Sequence, residues 1–161
     1  MAEAGNDGQP GPASGQPNVS VLTQYVKDFS FENPGAPQSL RARTGSPNIN
    51  ISIGVQSAPV GNNEFEVELR VDARAVDGEA VLFAIELVYA GVFRFINIPA
   101  EQLRPVALIE CPRLLFPFAR QIIADASRNG GFPPLMIDPV DFVAMYRQQL
   151  ANESGPPTAP N

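Results

Sequence analysis

From Val19 to Glu32 (VSVLTQYVKDFSFE) the odd positions Val19, Val21, Tyr25, Phe29 and Phe31 are apolar and the even ones end in Asp28, Ser30 and Glu32, the period of a strand with one dry face. Lys27 interrupts that face, which predicts a bulge or a local edge. The run Asn33-Pro34-Gly35-Ala36-Pro37 withholds donors and permits a turn, so a crossing segment follows to about Pro47. Asn48 to Gln56 sets Ile49, Ile51, Ile53 and Val55 against Asn50, Ser52 and Gly54. After a loop around Pro59 and Gly61, Glu64 to Val76 repeats the alternation, with Phe65, Val67, Leu69, Val71, Ala73 and Ala75 on one face and charged residues on the other. Asp77-Gly78 predicts a two-residue hairpin and hence antiparallel pairing.

The next strand, Glu79 to about Ile96, is apolar on both faces apart from Glu86 and Arg94, so something must cover its second face: a helix of this chain or another subunit. Gly91 marks a bulge or a close backbone approach. Pro99 opens a short helix, Ala100 to Glu110, which Pro105 can split. The central helix is expected over Cys111 to Asn129. Leu114, Phe118, Ile122 and Ala126 recur there at a spacing of four, widened by Leu115, Ala119 and Ile123, with Pro112 at its first turn and a kink or a late start at Pro117. Asn129-Gly130-Gly131 ends it. Phe132 follows in a rigid loop as a packing plug or part of a binding surface, and the loop alone favours the plug. Leu135 to Ile137 is extended, and Asp138 is expected to cap a last helix with Pro139 at its first position, Asp141 in its first turn and Phe142, Met145, Tyr146 and Leu150 on one face. Strands followed by helices predict an α+β fold, a four-stranded antiparallel sheet with helices packed on one side.

Length and composition limit this to one folded body. Of 161 residues, 1–18 hold four glycines, three prolines and no large apolar residue after Met1, and 152–161 are similar, so both are expected to be disordered tails around a domain of 19–151. No run approaches the roughly twenty apolar residues of a membrane helix, and the N-terminus has no basic segment followed by an apolar run. One cysteine, Cys111, fits a reducing cytoplasm. A formal charge of −6 argues against nucleic acid as a partner and for a basic protein.

The catalytic inventory is thin, with no histidine, one cysteine and one lysine. No phosphate loop, dinucleotide fingerprint, zinc cluster or haem ligand set occurs, so neither catalytic nor metal residues are assigned and no cofactor is implied. Cys111 reads as a small buried hydrophobe. The pairs Glu66 with Glu68 and Asp138 with Asp141 read as a solvated sheet face and as helix capping. Tyr25, Phe29, Leu40, Tyr89, Phe93, Phe132, Phe142 and Tyr146 exceed what a core of this size must use; each singly reads as core, and together they suggest a groove for apolar polypeptide. Alternatives from other classes are a carrier of a small apolar ligand and a carboxylate hydrolase.

The runs YVKDFSFENPGAP (25–37), FEVELRV (65–71), GVFRF (91–95) and CPRLLFPFARQIIADASRNGGFPPLMIDPVDF (111–142) resemble the SecB family of bacterial export chaperones, in unbroken order over residues 19 to about 151. The resemblance implies a homotetramer, a dimer of dimers. It implies an ATP-independent holdase for unfolded preproteins that delivers them to the translocation ATPase SecA without itself inserting in the membrane. It implies a client groove at Tyr25, Leu40, Phe132 and Phe142, with Leu40 where familiar members carry aromatics, and a SecA-docking surface at Asp28, Glu32, Ala84 and Glu86, any zinc belonging to SecA.

Overall fold

A computed structural model describes residues 15–155. The expected disordered tails therefore lie largely outside the described residues; inside them, the first strand begins at Asn18 and the last helix runs to Glu153. Strands β1 (Asn18–Glu32), β2 (Asn48–Gly61), β3 (Glu64–Asp77) and β4 (Ala80–Ile96) form one antiparallel sheet in the order β1-β4-β3-β2. Tight hairpins join β2 to β3 and β3 to β4, so segment 33–47 must carry the chain from one sheet edge to the other. Helices α1 (Ala100–Pro105), α2 (Cys111–Asn129) and α3 (Phe142–Glu153) lie on one side, the α+β arrangement that the patterning predicts.

The core forms where the alternating residues of β3 and β4 meet α2. Val67, Leu69 and Val71 of β3 and Ile85, Leu87 and Phe93 of β4 are buried under Cys111, Leu115, Ala119 and Ile123, which share one helical face at a spacing of four. Each such aliphatic side chain contributes about 1.5–3 kcal/mol of transfer free energy. The stripe of Leu114 and Phe118 is displaced from that face by one residue, and these side chains stay 46 % and 50 % exposed. Gly91 is a close approach and not a bulge: a Cβ there would stand 3.1 Å from Leu115 Cδ2 and 3.0 Å from Phe93 Cε2, so glycine lets α2 settle on the sheet.

Two register shifts in β1 decide which side chains face the helices. The expected bulge at Lys27 is present, between Val26 and Asp28, and a second lies between Val21 and Thr23. Each shift inverts the alternation. Val21 pairs with core-facing Phe93, Tyr25 pairs with Ala90 on the opposite face, and Phe29 and Phe31 return to the helix side opposite Leu87 and Ile85. Tyr25 is thus separated from the apolar residues whose parity it shares.

Several boundaries differ from the patterning for local reasons. β2 continues through Pro59 because it is an edge strand, where a missing N–H costs no ladder bond. The β3–β4 turn is Gly78-Glu79, closed by Asp77 opposite Ala80, with positive φ only at Gly78. Residues 100–129 are one helical stretch: Val106–Glu110 widens into a π turn in which the Cys111 N–H bonds to the Val106 carbonyl, making room for the ring of Pro112, and the helix passes Pro117 unbroken. The cap of α3 is Asp141, whose carboxylate accepts from the Ala144 N–H at 3.0 Å, and not Asp138.

Candidate functional site

The open face of the sheet carries the residues expected to dock a partner. Asp28 pairs with Val88, Ser30 with Glu86 and Glu32 with Ala84, and paired residues share a face, so the fold gathers Asp28, Glu32, Ala84 and Glu86 at the β1–β4 seam. Asp28, Glu32 and Glu86 are exposed, and among the described residues none of them takes part in a salt bridge. Glu64, Glu66, Glu68, Asp77, Glu110, Asp125 and Glu153 all have basic partners. Sequence reasoning missed a further carboxylate: Asp72 stands opposite Glu86 across β3 and β4, its Oδ1 buried without a hydrogen bond and 3.8 Å from Arg70 Nη1. A hollow of about 270 Å³ opens there between Asn50, Ser52, Asp72, Arg74, Ala84 and Glu86.

A bridge of side chains covers the rest of this face. Tyr25 hydrogen-bonds to Glu66, and Lys27 is held by Glu66 at 2.7 Å and by Glu68, all reaching across β4 where Ala90 leaves room. Ala90 is 0 % and Val88 6 % exposed beneath it. The second apolar face of β4 is therefore shielded here by side chains of the neighbouring strands. Burial and the bond to Glu66 push the Tyr25 hydroxyl up to about 12, while Lys27 and then Tyr25 hold the Glu66 carboxyl below the usual range. Glu66 and Glu68 are thus anchored, and no longer a plain solvated face.

The helix side holds the apolar candidates. Leu40, in the 3-10 turn Gln38–Leu40, is 45 % exposed and lies over Gly131, whose Cβ would meet Leu40 Cδ2 at 2.9 Å. The crossing segment is tied down by Asn33 Nδ2 to the Gly130 carbonyl, Ser39 Oγ to Asn33 Oδ1, and Arg43 to the Ser39 carbonyl and Asp77. Phe132 packs against Phe83 with the rings tilted at 51° and their centroids 4.9 Å apart, and it is partly buried, as a plug would be. Its loop is fixed by buried Ser127, whose Oγ donates to the Ile123 carbonyl at 2.9 Å and accepts from the Leu135 N–H at 2.8 Å.

Two expected groove residues lie elsewhere. Phe142 is 2 % exposed, edge-on to Phe116 in the core, and Tyr25 stands on the opposite face of the sheet. A cleft that sequence reasoning missed opens instead between β2 and α3. Its volume is about 690 Å³, and Ile51, Ile53, Val55, Leu108, Met145 and Tyr146 line it with polar groups of α3 at the rim. The signal was the isoleucine alternation of β2, which announces a dry face but not that its cover stands off from it.

The model of the preprotein translocase subunit SecB matches residues 12–153. The chain belongs to the SecB family. It is 66 % identical over 137 residues to the protein-export protein SecB of Xanthobacter autotrophicus, covering 85 % of this chain and 88 % of that one, and 56 % identical over 154 residues to that of Rhodopseudomonas palustris strain HaA2, covering 94 % and 98 %. The fold is similar to that of a SecB-like chaperone of Mycobacterium tuberculosis, solved in complex with a ChAD peptide from an antitoxin, at a TM-score of 0.59 and 16 % identity over 76 % of this chain and 90 % of that one. The chain is thus a protein-export chaperone of that family. Its Cys111 thiol is enclosed in the core, and burial pushes it up to about 12, which leaves it protonated near neutrality. Among the described residues no helix is long and apolar enough to cross a membrane.

Proposed function

We propose that this chain is a cytoplasmic, ATP-independent holdase that uses the two sides of its sheet for different partners. Unfolded preproteins bind on the helix side, at Leu40 with the rim of Phe132 and in the cleft between β2 and α3. SecA binds on the open face, at Asp28, Glu32 and Glu86 with Ala84 between them, and Asp72 adds to the same field. The observation that carries the reading is the division itself: apolar surface open on one side, unpaired carboxylates on the other, in a chain of an export-chaperone family. A basic partner is attracted by such carboxylates, and salt screens that attraction.

The active form is a homotetramer, a dimer of dimers. Support comes from Leu114 and Phe118 on the outer face of α2 and Val26 and Phe29 beside it on β1, all between 42 % and 50 % exposed. Such a belt is costly to leave in water on a small chain. Sedimentation should give four chains at micromolar concentration; a monomer there contradicts the assembly.

An unfolded precursor diluted from denaturant, with and without the protein and with no nucleotide, tests the holding activity. Light scattering should stay low at one tetramer per precursor. Aggregation at the uncatalysed rate would refute it, and a carrier of small ligands would give that result.

A further inference from the structure

We infer that the hollow between β2, β3 and β4 on the open face is a socket for one arginine side chain of the docking partner, gripped between Asp72 and Glu86; this rests on the proposal that SecA binds on that face. Asp72 and Glu86 stand directly opposite each other on β3 and β4. Like charges in that position destabilise a sheet. Neighbouring cations do not relieve them. Arg70 comes no nearer to Asp72 Oδ1 than 3.8 Å, too long for a hydrogen bond, and among the described residues Arg74 takes part in no salt bridge. The other cations of the face are held elsewhere, Lys27 by Glu66 and Glu68 and Arg94 by Glu64. Asp72 Oδ1 is left buried with no hydrogen bond. The free chain thus gives up stability where the fold itself needs no charge, as happens at sites that a partner completes.

The shape of the hollow limits what completes it. Ser52 pairs with Asp72, and Arg74 lies between Asn50 and Ala84, so the short side chains of β2 and of Ala84 leave a depression beside the longer Glu86. Its volume of about 270 Å³ falls below the roughly 300–1,000 Å³ of small-molecule pockets and suits one side chain entering end-on. Acceptors from three strands border it: the Asp72 and Glu86 carboxylates, the Asn50 amide and the Ser52 hydroxyl.

A guanidinium meets that set best. It carries its N–H donors in a rigid plane and can reach several acceptors at once, whereas an ammonium is a compact point charge. A divalent cation fits less well, because it needs many oxygen ligands and only two carboxylates converge here; among the described residues no group of three or more acidic or thiol ligands could hold a metal. With an arginine seated, the partner's footprint runs from Asp28 and Glu32 on β1 across β4 and β3 to Ser52 on the far edge strand. Asp72 then sets which partner side chain is accepted, beyond adding negative charge.

The test uses the full chain in two variants that separate a socket from a general acidic field. Asp72→Asn keeps the shape and removes the charge, whereas Ser52→Leu keeps every charge and fills the hollow from the exposed side of β2. Each should lower SecA affinity at low salt by about fivefold or more, and Asp72→Asn should hold or raise the urea midpoint because it relieves the repulsion from Glu86. N-acetyl-arginine amide should compete with SecA better than N-acetyl-lysine amide at equal ionic strength, a difference that should vanish in Asp72→Asn. SecA affinity within about twofold of the parent in Ser52→Leu overturns the socket even if Asp72→Asn binds more weakly, since a field alone does not feel a neutral plug. A lower urea midpoint in Asp72→Asn makes Asp72 a structural residue and overturns it too, as does equal competition by the two amides. If neither variant moves SecA affinity while the double variant Asp28→Lys, Glu86→Lys weakens it, the socket falls and the docking face stands. If that double variant binds SecA like the parent, the docking reading beneath the socket falls as well.

Discussion

The ring of Phe31 lies so close over Gly130 that a Cβ on that glycine would come within 2.2 Å of Phe31 Cζ. Phe31 is also stacked on Phe83 at 6.0 Å, so it has little freedom to withdraw. Gly130→Ala should therefore destabilise the chain by about 1–3 kcal/mol, seen as a lower urea midpoint at unchanged slope. Gly131→Ala adds a left-handed φ of 92° to its contact with Leu40 and should cost a comparable amount. An unchanged midpoint in Gly130→Ala would mean that the Phe31 ring is not confined as described.

Phe142 and Leu40 separate core from groove. Phe142→Ala should cost about 3–5 kcal/mol of stability because it empties a buried site against Phe116. Leu40→Ala, at a half-exposed position, should cost under about 1 kcal/mol and instead weaken client binding several-fold. Urea melts and precursor affinity measured on the same two variants check this; the reverse pattern would place the groove at Phe142.

Most of the strands were legible because a half-buried sheet writes its period of two directly into the chain, as in 64–76. The side of the sheet on which Tyr25 falls was not, since the second bulge of β1 leaves no mark comparable to Lys27. Nor was the Tyr25–Lys27–Glu66–Glu68 bridge, which joins strands that are neighbours only across β4 and so needs the sheet order. Pro112 lies in the first turn of α2 as expected, whereas Pro117 misled, since α2 runs through it from Cys111 to Asn129. Asp28, Glu32 and Glu86 were named from family resemblance; pattern alone gives three surface acids, and only the register brings them together.

The bridge gives the stability a defined acid limb. Glu66 titrates lower in the folded chain than in the unfolded one, near about 4.3 there. Its contribution is fully present above that unfolded value and is lost as pH falls through the folded value. Lys27 is raised, chiefly by Glu66 and then Glu68, so its contribution is complete below about 10.4 and is lost only as pH rises beyond the folded value. Stability from the bridge should be level from about pH 5 to 10 and fall below it. Melting temperatures of Glu66→Gln should show a shallower acid limb than the parent; parallel limbs would mean that the bridge is not linked to folding.

The claim that the two faces of the sheet serve different partners is tested most directly by the double variant Asp28→Lys, Glu86→Lys. SecA affinity and suppression of precursor aggregation are measured on the same preparation, at low and at high salt. The account predicts a loss of SecA affinity on the order of tenfold or more at low salt, with a smaller difference from the parent at high salt and aggregation suppression unchanged. Unaltered SecA affinity, or a loss of both activities together with the tetramer intact, would contradict it.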